Sequence, residues 1–181
     1  MLGCIHKPMN EGEIRYKITY AGNIDEASVK LMPQSMVLNF KNNKLRLKLS
    51  GGLGELKPIA VIDGPKGEIA LLNKFTGEID SRKLLKKDTS LRSTGISDKI
   101  SGHQCIIFNA ANRNATYTVW ATKDIPLFIN GTSRLEGFYL ANYSGIPLKI
   151  VDKEQDFTIN FIADSISLTV QPDSLFTPKS Q

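Results

Sequence analysis

The sequence is poor in the residues that carry catalysis or hold metal ions. Its 181 residues include two cysteines, two histidines and one tryptophan. The cysteines show neither the C-x-x-C pattern nor the Cys/His spacing of zinc sites, and two of them are too few for a disulfide scaffold. We therefore predict no metal site and no cofactor.

Nucleophilic catalysis has one candidate pair, His103 and Cys105. Residues two apart on a strand point to the same face, so the imidazole could serve as a base for the thiol. No third group that would orient the imidazole is identifiable, and a free cysteine usually behaves as a small buried hydrophobe. The alternative is a turn at Gly102 and His103 followed by a buried Cys105. We favour this alternative and predict that the protein is not an enzyme and has no catalytic residues.

The sequence also lacks a long apolar run and a concentrated block of charge. No apolar stretch approaches the roughly 18 residues that would span a bilayer. The net charge is +5, but basic residues such as Arg15, Lys17 and Arg46 are scattered along predicted strands. This scatter is typical of a solvated outer face, so no nucleic-acid partner is predicted. With 41% hydrophobic residues, a chain of this length can form one domain around its own core.

Apolar residues at every second position are abundant, and this is the pattern of strands with one buried face. The first such strand covers residues 14–20. Asn42 and Asn43 tolerate the positive φ of a tight turn, and they separate two further strands, so a hairpin is predicted there. The two strands of this hairpin cover residues 36–40 and 45–49. Further strands are predicted at residues 59–62, 69–72, 105–108, 117–120, 135–139, 146–151, 157–161 and 166–170.

Residues 80–91 break the alternation, because leucines there lie among lysines and arginines. This composition predicts either a short amphipathic helix or an irregular segment. Short strands about ten residues apart elsewhere indicate a mainly β protein, either an antiparallel sandwich or an open barrel.

The predicted domain organisation is a linker at residues 1–12, a single β-rich domain at residues 13–171 and a loose polar tail at residues 172–181. In the linker, Gly3 followed by Cys4 resembles the end of a bacterial lipoprotein signal, in which the cysteine is acylated. The charged and apolar regions of such a signal do not precede Cys4 in this sequence. Either they lie upstream of the start or the match is accidental. The lipoprotein interpretation predicts a membrane tether through Cys4.

Three segments resemble a family pattern when they are read in order. Residues 100–105 are ISGHQC, residues 117–126 are YTVWATKDIP and residues 144–150 are SGIPLKI. They are similar to the series I-x-G-[YH]-x-C, V-W-x-T-x-D-I-P and G-[LI]-P-L of exported Bacteroidetes proteins, the uncharacterised LolA-like families related to the GLPGLI group. The resemblance extends from about Gly12 to Leu168, although the full six-residue GLPGLI signature is not present.

The resemblance implies a LolA-like fold, which is an incomplete, open antiparallel barrel with one or two short helices around an apolar cavity. The apolar strand residues and the single tryptophan would then line the concave face. The ligand-binding residues predicted on this basis are Tyr16, Ile18, Leu38, Phe40, Leu47, Trp120 and Phe161. The alternative for each of them is plain core packing, because inward-facing side chains usually fill small barrels.

Two functions follow from this interpretation. The first is a non-catalytic binding or carrier protein of the cell envelope, whose cavity takes a lipid, an acyl chain or a lipidated partner. The second is a structural or interaction module, anchored at the outer membrane, that binds another envelope protein through its loops. Both place the protein in the periplasm or at the outer membrane. An interior filled by the chain's own side chains would favour the second.

Overall fold

The computed structural model describes residues 10–86 and 88–178, so Cys4 and most of the predicted linker lie outside the described residues. The strands of the first half are β1 (Glu11–Gly22), β2 (Ser35–Lys41), β3 (Lys44–Ser50), β4 (Ile59–Asp63), β5 (Glu68–Leu72) and β6 (Ile79–Lys83). Those of the second half are β7 (Arg92–Ile100), β8 (His103–Ala111), β9 (Ala115–Thr122), β10 (Ser133–Leu135), β11 (Phe138–Leu140), β12 (Ile146–Glu154) and β13 (Phe157–Ser167). The described residues also form one α-helix, α1 (Glu26–Leu31), and two short 3-10 helices, Gly52–Leu56 and Asp173–Phe176.

Eleven of these strands form a single sheet in the order β6-β5-β4-β3-β2-β1-β13-β12-β9-β8-β7, while β10 and β11 pair separately. The two edge strands, β6 and β7, are neighbours in the chain and are joined only by residues 84–91. A connection of this length reaches at most about 30 Å. The sheet therefore has to curl until its two edges approach each other, which makes a bowl that is open between β6 and β7.

The predicted fold class is confirmed: the protein is mainly β, with one large antiparallel sheet that is not closed and with few helices. Of the two architectures that the alternation allowed, the open barrel is observed and the sandwich is not. Within the described residues, no helix is long and apolar enough to cross a membrane.

The alternation of the sequence determines which face of each strand is buried. In β1, Ile14, Tyr16 and Ile18 are at most 2% exposed, whereas Arg15 and Lys17 are exposed. The buried side of the sheet lines the inside of the bowl and is called the inner face below; the opposite side is the outer face. The predicted hairpin between β2 and β3 is also confirmed, because both asparagines of its turn have positive φ and the flanking strands pair in register.

The described residues of the segment that broke the alternation, 80–86 and 88–91, do not form a helix. The segment begins within β6, whose five residues are all exposed, and continues as an irregular connection towards β7. The helical alternative was therefore wrong, and the irregular alternative describes residues 84–86 and 88–91. An edge strand without a buried face has no period-two signal, which is why β6 and the mostly exposed β7 were not predicted.

Two other strand predictions change in detail. Residues 135–139, predicted as one strand, form parts of β10 and β11, which are separated by a tight turn in which Glu136 and Gly137 both have positive φ. The two strands predicted at 157–161 and 166–170 are one continuous strand, β13, that ends at Ser167.

The C-terminal residues after β13 pack against the outer face, in contrast to the loose tail that the sequence predicted. Asn39 Nδ2 donates to Gln171 Oε1 at 3.1 Å, and Lys41 Nζ donates to the carbonyl oxygen of Gln171 at 2.7 Å. Lys41 also forms an ion pair with Asp173 at 2.9 Å. Phe176 is only 6% exposed. We call residues 168–178 the C-terminal strap.

Candidate functional site

The inner face of the bowl is covered by a segment of the chain itself. This inner segment, residues 123–145, leaves the sheet after β9 and returns to it at β12. Its buried apolar residues belong to the same core cluster as the inner face and are Ile125, Leu127, Ile129, Phe138, Tyr139, Leu140, Ala141 and Tyr143. A segment that carries this many buried side chains acts as the second layer of the core.

Phe138 lies at the centre of this packing. Its ring is fully buried and makes edge-to-face contacts with Tyr16 at 5.4 Å and with Phe161 at 5.3 Å between centroids. Tyr16 in turn donates its hydroxyl proton to the carbonyl oxygen of Pro147 at 2.6 Å. The position that a ligand would need at the middle of the inner face is thus occupied by an aromatic side chain of the protein.

Six of the seven predicted ligand-binding residues lie in this core. They are at most 4% exposed and are Tyr16, Ile18, Leu38, Phe40, Leu47 and Phe161. The structure brings them together on the inner face, where they pack against the inner segment and against each other. Their role in ligand binding stays a prediction.

Trp120 was wrongly placed on the concave face. It follows Val119, which is completely buried in the core, so its side chain points to the other side of β9. There it faces its neighbour in register, Lys149, whose Nζ lies 4.2 Å from the indole centroid. The alternation of β9 puts Tyr117, Val119 and Ala121 inside, and Trp120 occupies an intervening position that points outward.

The polar part of the interior lies at the end of the bowl where α1 is found, which we call the mouth. Arg134 on β10 donates from Nη2 to Asp152 Oδ2 at 2.9 Å and also contacts Glu154. Its guanidinium carbon lies 5.7 Å from the centroid of the Tyr117 ring. The Asp152 side chain is fully buried, and its second oxygen, Oδ1, has no hydrogen-bond partner among the described residues. Burial raises the pKa of Asp152, and the hydrogen bond from Arg134 opposes that rise.

A second polar contact joins the inner segment to the connection between β6 and β7. Tyr139 stacks on Tyr117, with 4.5 Å between the ring centroids, and donates its hydroxyl to Asp88. Burial and this hydrogen bond raise the pKa of Tyr139 above its usual range, so the hydroxyl keeps its proton and acts as the donor. Leu85 and Thr132 exchange two backbone hydrogen bonds of 3.0 Å nearby. These contacts hold the inner segment in place across the opening of the sheet.

A pocket of about 360 Å³ opens at the mouth. Its apolar lining comes from Tyr20, Met32, Pro33, Phe157 and Ile159, and its charged lining comes from Arg134, Glu136 and Glu154. Arg134 is already paired with two carboxylates. The residues that line the pocket offer hydrogen-bonding groups, and none of them is an activated nucleophile. Within the described residues, no group of three or more His, Cys, Asp or Glu side chains could hold a metal ion.

The mouth end also carries exposed apolar side chains. In this antiparallel order the β1–β2, β3–β4 and β5–β6 connections all lie at one end of the sheet. They present four large apolar residues that are 47 to 70% exposed, namely Leu31, Leu53, Leu56 and Phe75, and we call this set the apolar tip. The connections touch each other, since Lys74 Nζ lies 3.8 Å from Glu55 Oε2, and Lys57 links the tip to Glu136 at 3.0 Å.

Sequence reasoning missed Arg134, Asp152 and the apolar tip. Asp152 follows Ile150 at the next inward position of β12, and an acid at a core position signals a buried partner. The identity of that partner depends on how the inner segment folds back onto the sheet. A local sequence pattern does not predict that packing.

The candidate nucleophile is not activated. His103 Nδ1 lies 2.9 Å from Asp124 Oδ2, so a group that orients the imidazole does exist. Cys105, however, is fully buried, and its Sγ contacts the backbone carbonyl oxygen of His103 at 3.6 Å. Burial raises the pKa of the Cys105 thiol to about 11. The thiol is therefore protonated at neutral pH.

We expect Cys105 to resist alkylation in the folded protein. A pKa of about 11 gives roughly 300-fold less thiolate at neutral pH than the ordinary value of about 8.5. The measurement is the rate of reaction with a thiol reagent at pH 7.5 in a Cys4→Ser variant, with the urea-unfolded variant as the control that should react fully. Rapid reaction of the folded variant would show an activated thiol and contradict the non-enzymatic interpretation.

No protein-family model and no curated protein matches this sequence. Solved structures that are similar to it share little of its sequence. The structure of PNGF-II in space group C2 is 21% identical with a TM-score of 0.60, and the match covers 93% of this chain but only 30% of the PNGF-II chain. An uncharacterised conserved protein from Thermus thermophilus is 9% identical with a TM-score of 0.52, and the match covers 93% of this chain and 84% of that one.

The Mycobacterium tuberculosis lipoprotein LppX is 11% identical over 88% of both chains, but its TM-score of 0.37 does not establish a shared fold. The likeness to PNGF-II and to the Thermus protein shows the fold alone. This chain spans less than a third of the PNGF-II chain it matches, so the matched region is one part of a larger molecule there. The resemblance to exported Bacteroidetes proteins stays a prediction.

Proposed function

We propose that this protein is a non-catalytic interaction module of the cell envelope that binds a partner protein through the apolar tip and the mouth pocket. The observation that carries the proposal is the inner segment, because Phe138 and its neighbours occupy the inner face where a carrier would hold a lipid. What the protein then offers to a partner is its surface at the mouth. Large apolar side chains exposed together on loops are typical of such contact surfaces.

The charges around the apolar tip favour a protein over an anionic membrane. The same three connections carry acidic and basic residues in similar numbers, four acidic ones (Asp25, Glu26, Glu55 and Glu78) and three basic ones (Lys30, Lys57 and Lys74). Binding to an anionic bilayer draws on clustered lysine and arginine, whereas the three basic residues of these described connections are interspersed with acidic ones. A mixed polar rim around apolar residues is instead the usual anatomy of a protein interface.

Site-specific cross-linking tests this proposal in cells of the native host. A photoreactive phenylalanine analogue at position 56 or 75 should give a discrete cross-linked species of defined mass. The matched control is the same analogue at Ile96, which is 62% exposed on the edge strand β7, outside the three connections, and should give no such species. A Leu56→Glu change should remove the product formed at position 75, because a charge at the centre of the contact opposes burial.

Two results would contradict the proposal. Equal cross-linking from all three positions would show that the tip is ordinary surface. Co-sedimentation of the purified protein with phosphatidylglycerol vesicles, lost in the Leu56→Glu variant, would assign the tip to a membrane.

The same cells test the membrane tether. The mass of the N-terminal peptide should include acyl chains if Cys4 is the lipidated residue, and an unmodified Cys4 would contradict the tether.

A further inference from the structure

The free edge of β6 is an interaction surface made of other residues than the apolar tip and the mouth pocket. β6 is a terminal strand of the eleven-stranded sheet, and all five of its side chains are exposed. The other terminal strand, β7, has an irregular register with β8 between Ser93 and Ser97. Irregularities of this kind protect a sheet edge from further pairing, whereas β6 pairs with β5 in regular register throughout. The edge that is open to a further strand is therefore that of β6.

The hydrogen bonds to β5 determine which backbone groups of β6 face outward. The N–H of Leu84, the residue after β6, donates to the carbonyl oxygen of Gly67 at 2.8 Å. Hydrogen-bonded pairs recur at every second residue of an antiparallel ladder, so Asp80 and Arg82 also direct their backbone groups to β5. The residues at the alternate positions point their N–H and C=O groups away from the sheet, and they are Ile79, Ser81 and Lys83.

The side chains of this edge are complementary to those of a second β6 strand. When two copies of β6 lie antiparallel around a two-fold axis at Ser81, Asp80 of each copy lies directly opposite Arg82 of the other. These are non-hydrogen-bonded positions, where facing side chains are closest. Within residues 10–86 and 88–178, neither Asp80 nor Arg82 forms an ion pair, so both charges are available to a partner.

The two charges also select one register of this pairing. If the axis lay at Asp80 or at Arg82, that residue would face its own copy, and like charges directly opposite each other are destabilising. The register centred on Ser81 instead makes two opposite-charge pairs. It also makes about six N–H···O bonds, two for each facing pair of outward-directed residues. A two-fold axis closes the assembly at two copies.

We propose that two copies of this protein associate through their β6 edges, antiparallel and centred on Ser81, so that one sheet continues across both copies. Backbone hydrogen bonds supply the attraction, as they do whenever a strand adds to a sheet edge. The Asp80 and Arg82 pairs determine the register and the choice of partner. Because the contact is only five residues long, the dimer is weak and reversible.

Sedimentation velocity of the purified full chain, at concentrations up to about 0.5 mM, suits a contact of this size and should show a monomer–dimer equilibrium. Asp80→Arg should weaken dimerisation at least about tenfold, because both charge pairs become repulsive. The charge swap Asp80→Arg, Arg82→Asp restores both pairs and should recover the dimer. The matched control is Asp98→Arg, which makes the same charge change at an exposed position of β7 and should leave dimerisation unchanged.

Disulfide trapping tests the position of the axis. In a Cys4→Ser background, Ser81→Cys places two thiols opposite each other on the same face. Facing residues of a hydrogen-bonded pair have Cα atoms about 5.5 Å apart, which is within the range that a disulfide spans. Mild oxidation should therefore give a covalent dimer. Ser97→Cys, at an exposed position of the other edge strand, is the control and should remain monomeric.

Thermal unfolding verifies that each variant is folded. A monomer at every concentration, a dimer that persists in Asp80→Arg, or equal trapping at positions 81 and 97 would overturn the inference. Open-ended polymers would also overturn it, because they would show that β6 pairs with β7 of the next copy. Leu56→Glu should leave the dimer intact, so failure here is distinguishable from failure of the proposed function.

Discussion

Phe138→Ala is expected to lower the free energy of unfolding by about 3–5 kcal/mol, the range for removing a buried phenylalanine ring. The ring is fully buried and touches Tyr16 on β1 and Phe161 on β13, so its loss leaves a cavity between the inner segment and the sheet. Neither neighbour can collapse into the space easily, because both are held in the rigid ladder between these strands. Urea unfolding at pH 7 gives the measurement.

Phe128→Ala is the matched control, since Phe128 belongs to the same inner segment but is 47% exposed. Its loss should cost well under 1 kcal/mol, the usual range for surface positions. An apolar cavity of this kind is dry and binds small aromatics, so benzene should raise the melting temperature of Phe138→Ala and leave that of the parent unchanged. A decrease in the free energy of unfolding below about 1 kcal/mol for Phe138→Ala would mean that the inner segment does not fill the bowl. The interior would then again be a candidate ligand site.

The inner face could be predicted from the sequence because its signal is local. Period-two alternation fixes which residues of β1, β2 and β3 point inward, and Ile14, Leu38 and Leu47 are buried as that alternation requires. The tight turn at Asn42 and Asn43 is equally local, since it depends on two residues that tolerate positive φ.

What could not be predicted depends on the curvature of the sheet. The strands β6 and β7 have almost no buried residues, so their places follow only from pairing with β5 and β8. The sequence of the inner segment contains one local sign of burial, because Ile125, Leu127 and Ile129 occupy alternate positions and are all buried. These residues have no neighbouring strand to pair with, so the sequence pattern predicts a connection between strands at this place.

The same limit explains the candidate sites. Six predicted ligand residues are together in space because they share one face, but whether that face is empty or covered depends on a segment that folds back from 123–145. On the outer face, strands β3 to β6 lie beside the C-terminal strap, which is about 100 residues away in sequence. Contacts of this kind arise from tertiary packing, and no short pattern in the sequence encodes them.

Arg134→Leu is expected to destabilise the protein by about 2–4 kcal/mol at pH 7, because it leaves the buried Asp152 carboxylate without its counter-ion. The estimate is below that for a wholly buried pair, since the Arg134 side chain is 35% exposed and water can partly replace it. Arg113→Leu, at an exposed turn, is the control and should change stability by no more than about 0.5 kcal/mol. The double variant Arg134→Leu, Asp152→Asn should recover much of the loss, because it removes the unpaired charge.

The pH dependence of Arg134→Leu separates this electrostatic cause from lost packing. Burial already raises the pKa of Asp152, and removing the hydrogen bond from Arg134 should raise it further. The unfolded chain ionises this carboxyl near the ordinary value of about 3.9, whereas the folded variant holds the proton to a higher pH. Between these two pH values the folded state binds more protons, so the stability of the variant should fall as the pH rises and recover on acidification towards pH 5. A deficit relative to the parent that is the same at pH 5 and pH 7 would mean that the Arg134 side chain acts by packing against Tyr117, and the charge pair at the mouth would then have no part in holding the inner segment.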